Sequence, residues 1–459
     1  MTATSGDNHP AGSHPGDGEA SEMVLQTPRR PKVRGLQRKL WAAAKRSPNR
    51  RFHALHDRIW RGDFLQEAWK RVRSNKGAAG IDGVTLAEVE DYGADRLLAE
   101  LQRDLREGTY RPSAARRVDI PKPDGRKRPL GIPTVRDRVV QQATRMVLEP
   151  IFEADFTEAS FGFRPKRSAT DAAEELRKGF IDGHRWAFEA DIRDCFGQID
   201  HEILVERLAE RISDRRVLKL CRKWLKAGVM EEGGHRQTVA GTPQGGVISP
   251  LFANVYLHAL DEAFASGPGR LIRYADDFVV LCRSEAEARA AEAKAREVLA
   301  ELRLELHPDK TKVVDLNEGR EGFDFLGWHF RAKASGKLME RGIRRYYLHR
   351  WPSVRAMKSI RAKVKAKTGR NRTGVSDIRE VIVDLNPLLR GWGNYFRSGN
   401  SAVKFNQIDS YVWRRLRSLM RKRHGRNLRP GQAETWTGEW LWGLGLHRLR
   451  GTIRYPEVA

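Results

Sequence analysis

Two adjacent carboxylates, Asp276 and Asp277, lie between the apolar runs Leu271-Ile272-Arg273-Tyr274 and Phe278-Val279-Val280-Leu281. Neighbouring side chains of a regular strand face opposite ways. Both acids can therefore reach one site only where a tight turn reorients the backbone. Two anions at the tip of a buried hairpin repel each other and are costly without a cation. A third acid, Asp191, closes the apolar run Trp186-Ala187-Phe188-Glu189-Ala190. Three carboxylates on two neighbouring strands form a donor set for two Mg²⁺ ions, with Mn²⁺ as a substitute, in a site that transfers phosphoryl groups. A lone Asp-Asp pair is ordinarily a hydrated turn; the apolar flanks and the partner strand set this one apart.

The elements that must position these acids are short. Strands are expected at Arg117–Ile120, Trp186–Ile192, Leu271–Tyr274 and Phe278–Cys282. Helical spacing covers Val135–Phe152, Ala169–Phe180, His201–Arg211, Arg215–Ala227, Pro250–Ala265 and Glu285–Leu302. Strands that alternate with helices but include a tight hairpin predict an α+β fold rather than a doubly wound sheet. Upstream, helical spacing runs from Leu36 to Val72, breaks at Lys76–Gly83 and resumes over Leu86 to Glu107. Residues 1–30 are rich in Gly, Ser, His, Pro and Asp and are expected to be disordered. Beyond Arg331 the patterns read as helical: Trp351–Lys367, Gly374–Leu389 and Val403–Lys422. Asp200, just ahead of His201-Glu202-Ile203, is placed to cap a helix.

Charge narrows the function. The 459 residues carry 85 Lys and Arg against 59 Asp and Glu, a net +26. Such a field attracts polyanions, so a nucleic-acid partner leads. Residues 331–459 hold about 30 Lys and Arg against 8 Asp and Glu, most of the excess. There Trp392, Tyr395, Trp413, Trp436, Trp440 and Trp442 interleave with arginines. At helical spacing the aromatics read mainly as packing, and Arg390, Arg414, Arg415, Arg417, Arg421, Lys422 and Arg423 as phosphate contacts. Cys195, Cys221 and Cys282 show no CxxC pairing and read as reduced core thiols. No apolar run approaches the roughly 20 residues of a membrane span. Residues 1–28 have no signal-peptide pattern, so a cytoplasmic, bacterial protein with no membrane partner is expected.

An ordered series of boxes carries a family resemblance. Tyr274-Ala275-Asp276-Asp277 resembles the YADD box of reverse transcriptases, and Ala190-Asp191-Ile192-Arg193-Asp194-Cys195-Phe196 the block with the first catalytic Asp. Gly241-Thr242-Pro243-Gln244-Gly245-Gly246 resembles the PQG box of group II intron enzymes, and Ile120 to Pro133 their fingers motif. Phe161-Gly162-Phe163-Arg164-Pro165, Phe325-Leu326-Gly327-Trp328 and Leu389-Arg390-Gly391-Trp392-Gly393-Asn394-Tyr395-Phe396 follow in the family's order. Each box alone is weak; the series, over residues 36 to 425, is specific.

That resemblance implies a right-hand polymerase fold with fingers and palm, followed by an α-helical thumb/maturase domain. It divides the chain into an N-terminal extension and fingers (31–185), palm (186–330), thumb or X domain (331–425) and a short tail (426–459) open to a DNA-binding role. It implies a metal site of Asp191, Ile192, Asp276 and Asp277. Lys122 and Arg128 become triphosphate contacts, Phe196 the residue that reads the sugar, and Gln244 part of the loop along the nascent base pair. Lys310 becomes the proton donor to leaving pyrophosphate, and Arg164 a contact to template or to fingers structure. The implied partners are dNTPs, an RNA template with a DNA primer, group II intron RNA and target DNA. Many relatives end in a Cys- and His-containing nuclease module; no cysteine follows Cys282, so that module is not expected.

The leading reading is an RNA-directed DNA polymerase that assists intron splicing and supports mobility by target-primed synthesis. Two alternatives stay open: a domesticated relative acting in DNA repair or defence, and a splicing-only maturase with a vestigial polymerase site. The three intact acids argue against the last. A nucleotide cyclase could share the palm, but has no place for the fingers series or the basic thumb.

Overall fold

The computed structural model of the chain describes residues 31–121, 127–231, 234–236, 241–242, 245–375 and 377–455. The disorder expected of residues 1–30 lies outside these residues. The chain opens with helices α1 (Pro31–Arg46), α2 (His56–Ile59), α3 (Gly62–Ser74), α4 (Leu86–Tyr92) and α5 (Ala94–Glu107). Thr85 starts α4 with a reciprocal capping box to Glu88, which satisfies two otherwise orphaned donors. A hairpin of β1 (Ala115–Pro121) and β2 (Lys127–Ile132) follows, then α6 (Val135–Glu153), the helix most deeply surrounded by core. Next come α7 (Ala169–Ile181), β3 (Trp186–Asp191), the single turn α8 (Cys195–Gln198), α9 (His201–Arg211) and α10 (Arg215–Lys226).

Strands β4 (Val229–Glu231) and β5 (Gly234–Arg236) join the first hairpin in a sheet of order β2-β1-β4-β5. Helix α11 (Ser249–Ala263) precedes the central hairpin of β6 (Arg270–Tyr274) and β7 (Asp277–Cys282). After α12 (Glu285–Glu301), β8 (Lys312–Asp315) completes a second sheet, ordered β6-β7-β3-β8 with every pairing antiparallel. This sheet positions the site. Phe188, Phe278 and Val280 enter one core with α6, α11 and α12, whereas Ala187, Val279 and Leu281 enter a second core with the C-terminal elements. The alternation explains why these strands read as near-continuous apolar runs: both faces are covered.

The helical reading after Arg331 fails at its start. Strands β9 (Gly322–Phe325), β10 (Trp328–Ala334) and β11 (Tyr346–Pro352), with the short α13 (Gly336–Met339), form a third sheet of order β11-β10-β9. Trp351 belongs to β11, not to the helix expected from it. The signal was present, since Trp328, Phe330 and Ala332 are buried in strict alternation with polar neighbours. Helices α14 (Val354–Lys367), α15 (Ile378–Phe396), α16 (Ala402–His424) and α17 (Gly438–Gly443) follow. The boundary expected at 425 separates nothing in the packing. Trp436, Leu441, Leu446 and Leu449 lie in the same core as α15 and α16. The Asp409 carboxylate accepts both Leu449 N–H and Arg450 N–H at 3.0 Å.

Candidate active site

The β6–β7 connection is a two-residue turn, Ala275-Asp276, between the paired Tyr274 and Asp277. Ala275 has φ of 60°, a left-handed conformation that an alanine adopts only against some cost. Across the neighbouring strand, Asp277 stands opposite Asp191 in register. The third acid thus meets the pair because two strand ends coincide. Ile192 continues β3, and its N–H donates to the Asp276 carbonyl at 3.2 Å. In extended backbone a residue's N–H and C=O point the same way, so the Ile192 carbonyl faces the Asp276 turn.

Asp191 is buried, and its carboxylate pairs with the Lys310 ammonium. Lys310 arrives on a short helical turn that an N–H from His307 ties to the Asp191 carbonyl at 2.8 Å. Burial pushes the Asp277 carboxyl up to about 7, reinforced by the negative charges of Asp191 and Asp276 and opposed by Lys310. The described side chains contain no ready-made cluster of three metal-ligating groups. The donor set nevertheless fits a hard divalent cation: mutually repelling oxygens at one strand end, one already held by a cation.

On the nucleotide side, Asp194 at φ 42° turns the chain into α8, and Gly197 lies so close that a Cβ there would meet the Asp194 carboxylate at 2.2 Å. Phe196 is buried, edge-on to the exposed Phe163 ring with centroids 6.4 Å apart. Its carbonyl accepts Thr242 N–H at 2.8 Å, which docks the start of the PQG loop against it. Farther along that loop, Gly245 (φ 112°) leaves only 3.0 Å between a would-be Cβ and the Gly131 carbonyl of β2. Three boxes far apart in sequence therefore meet around Phe196. Lys122 and Gln244 lie outside the described residues. Arg128 is on β2, opposite Ile120.

Of the two contacts expected of Arg164, the one to fingers structure is present: it is buried, with Nη2 on Glu153 at 2.7 Å and Nη1 on the Ser160 carbonyl at 2.9 Å. Two arginines depart from expectation. On α16, Arg415 clasps Thr368 through Oγ1 at 3.0 Å and the carbonyl at 2.8 Å. Arg417 donates to the Ala433 carbonyl at 3.0 Å and lies over the Trp413 ring. These two hold the helix to its neighbours, leaving them fewer donors for phosphate. Arg390, Arg414, Arg421, Lys422 and Arg423 are exposed. Beside them a cavity of about 520 Å³ opens between α14 and α16, with Lys365, Arg415 and Lys422 on its walls and no acid among its lining residues. Asp200 caps α9, accepting Glu202 N–H at 2.9 Å. The three cysteines are buried and unpaired. No helix among the described residues is long and apolar enough to cross a membrane.

A carboxylate-tipped hairpin opposite a third acid, on an antiparallel sheet backed by helices, is the palm of a template-directed polymerase. Residues 120–330 match the reverse transcriptase (RNA-dependent DNA polymerase) family, and residues 357–436 the group II intron maturase-specific domain. Protein YkfC of Escherichia coli is 38% identical over 344 residues, covering 65% of this chain and 88% of YkfC. The group II intron-encoded protein LtrA of Lactococcus lactis is 41% identical over 212 residues, 46% of this chain. A 91 kDa protein in the cob intron of Schizosaccharomyces pombe is 39% identical over 202 residues, 44% of this chain. The matched segments span 35% and 24% of the latter two. The chain belongs to the family of group II intron reverse transcriptases with a maturase domain. That family uses divalent metal and acts on nucleic acids, intron RNA among them.

Sequence reasoning missed the residues beneath the turn: Arg273, Asp261, Asn254, Ser160 and Gly162. The available signal was a single arginine inside an apolar strand, and an Asn and an Asp seven apart on an apolar helix.

Proposed function

We propose that the chain is an RNA-directed DNA polymerase that extends a DNA primer on RNA with dNTPs, and binds intron RNA to assist splicing and mobility at target DNA. The observation that carries this reading is the register of Asp191 against Asp277 beside the Ala275-Asp276 turn. In it, Asp191, Asp276, Asp277 and the Ile192 carbonyl would hold two Mg²⁺ ions. When bound, these ions supply the positive charge that favours the primer hydroxyl as nucleophile and stabilises the departing oxygen.

The protein's own groups do the rest. Phe196, locked between Phe163 and the Thr242 backbone, forms a wall under the sugar that a 2′-hydroxyl would strike. Lys122 and Arg128 take the triphosphate, and Gln244 lies along the new base pair. Lys310 leaves Asp191 to protonate pyrophosphate as it departs. Arg390, Arg414, Arg421, Lys422 and Arg423, with Lys365 across the α14–α16 cavity, track phosphates of structured RNA. The fingers, palm and thumb follow the three sheets and the C-terminal helices, with residues up to about 450 counted in the thumb. The test is extension of a DNA primer on an RNA template with dNTPs and Mg²⁺. Full-length DNA supports the reading; none, from folded protein, removes it.

A further inference from the structure

A charged network lies beneath the catalytic turn, on the helix-packed side of the sheet. Arg273 and Asp261 are both fully buried, and their side chains form a two-pronged ion pair at 2.6 and 2.5 Å. The remaining donors of the guanidinium reach Ser160 Oγ at 2.9 Å, Asn254 Oδ1 at 3.3 Å and the Ala275 carbonyl at 3.0 Å. All five N–H donors of the arginine are used. Asn254 in turn donates to the Gly162 carbonyl at 2.8 Å. Gly162 presses on the turn itself, for a Cβ there would stand 2.4 Å from the Ala275 nitrogen. The backbone of Arg273 also exchanges hydrogen bonds at 2.8 Å with Ala159 and Phe161, so the segment leading to Phe163 is laid along β6.

A buried ion pair is a poor device for stability, because desolvation consumes much of its attraction. Its use is geometric. Only a planar fork can fix a carboxylate, a hydroxyl, an amide and a carbonyl at once. We propose that Arg273 and Asp261 are positioning residues that hold the Ala275 carbonyl, and through it Asp276 and the Phe161–Phe163 segment, in the geometry that binds metal. The inference rests on the metal-site reading above. It adds that the metal site and the nucleotide-side aromatics share one buried support. The support acts through the backbone, since the Arg273 charge is already matched by Asp261.

The test separates positioning from stability. Arg273→Met with Asp261→Leu replaces the pair by apolar groups of similar size, a change that often leaves stability intact. Thermal unfolding, Mn²⁺ binding by electron paramagnetic resonance without nucleotide, and primer extension are measured on the full chain. The folded double variant should bind Mn²⁺ about tenfold more weakly and extend primer about 10- to 100-fold more slowly, the penalty of a small misplacement at a reacting centre. Parent-like Mn²⁺ affinity and rate in the folded variant overturn the inference. Should the double variant not fold, Arg273→Lys takes its place: it keeps a cation against Asp261 but cannot span the other three partners, and the same two outcomes decide. If the parent itself binds no Mn²⁺, the metal-site reading fails first.

Discussion

Replacing Arg414, Arg421 and Lys422 together with Gln should weaken binding of structured RNA and flatten its salt dependence. All three side chains are exposed on α16, and Lys422 lines the α14–α16 cavity. With one phosphate per cation, the slope of log K against log salt should fall by roughly 2.1 on single strands to 2.7 on duplex. Between 50 and 200 mM salt, parent affinity should then drop about 20- to 40-fold more than that of the variant. The assay is filter binding of a group II intron RNA across a salt series. Short primer extension at saturating template should persist, because the acids lie on the β6-β7-β3-β8 sheet and not on α16. Arg415→Ala provides the contrast. It removes two bonds to Thr368 and should lower stability by about 1–3 kcal/mol while changing the slope little. A triple variant that keeps the parent's affinity and slope refutes the assignment of this helix face to RNA.

Phe196→Ala should lower the ratio of dNTP to rNTP incorporation efficiency by removing the wall beneath the sugar; an unchanged ratio in folded protein makes Phe196 a core residue only. Lys310→Met should slow extension about 100-fold or more through loss of a general acid, with RNA affinity preserved, and a rate within twofold of the parent contradicts the role. Gly162→Ala should cost about 1–3 kcal/mol in a denaturant melt and abolish most extension, because its Cβ would meet backbone of the catalytic turn and not a movable side chain. A silent substitution there would mean that the turn yields freely.

Much of the site was legible because its chemistry is local in sequence. The adjacent acids, the apolar flanks and the hairpin spacing at Tyr274–Asp277 sit within a dozen residues, and β3, β6 and β7 were recovered within a residue or two. What could not be read was long-range. Nothing in the sequence brings Asp261 and Ser160 to the same nitrogen of the Arg273 guanidinium, since that depends on how α11 and the Ala159–Phe161 segment pack. The arginines of α16 illustrate the same limit: composition made Arg415 and Arg417 equal to Arg414, and only tertiary contacts with Thr368 and Ala433 distinguish them. The β9–β11 sheet was lost for another reason. Its central strand β10 carries basic residues at every second position, which mask in composition the alternation of Trp328, Phe330 and Ala332.

The central claim is that Asp191, Asp276 and Asp277 form a metal site for DNA synthesis on RNA. Its most direct test is single-turnover extension of a DNA primer on RNA by the parent and by Asp277→Asn, at saturating Mg²⁺, beside RNA affinity. The near-isosteric change removes one charge from the site and should leave the Asp191–Asp277 backbone register intact. The rate should fall by about three orders of magnitude or more while RNA affinity stays within about twofold. A rate within tenfold of the parent would contradict the account.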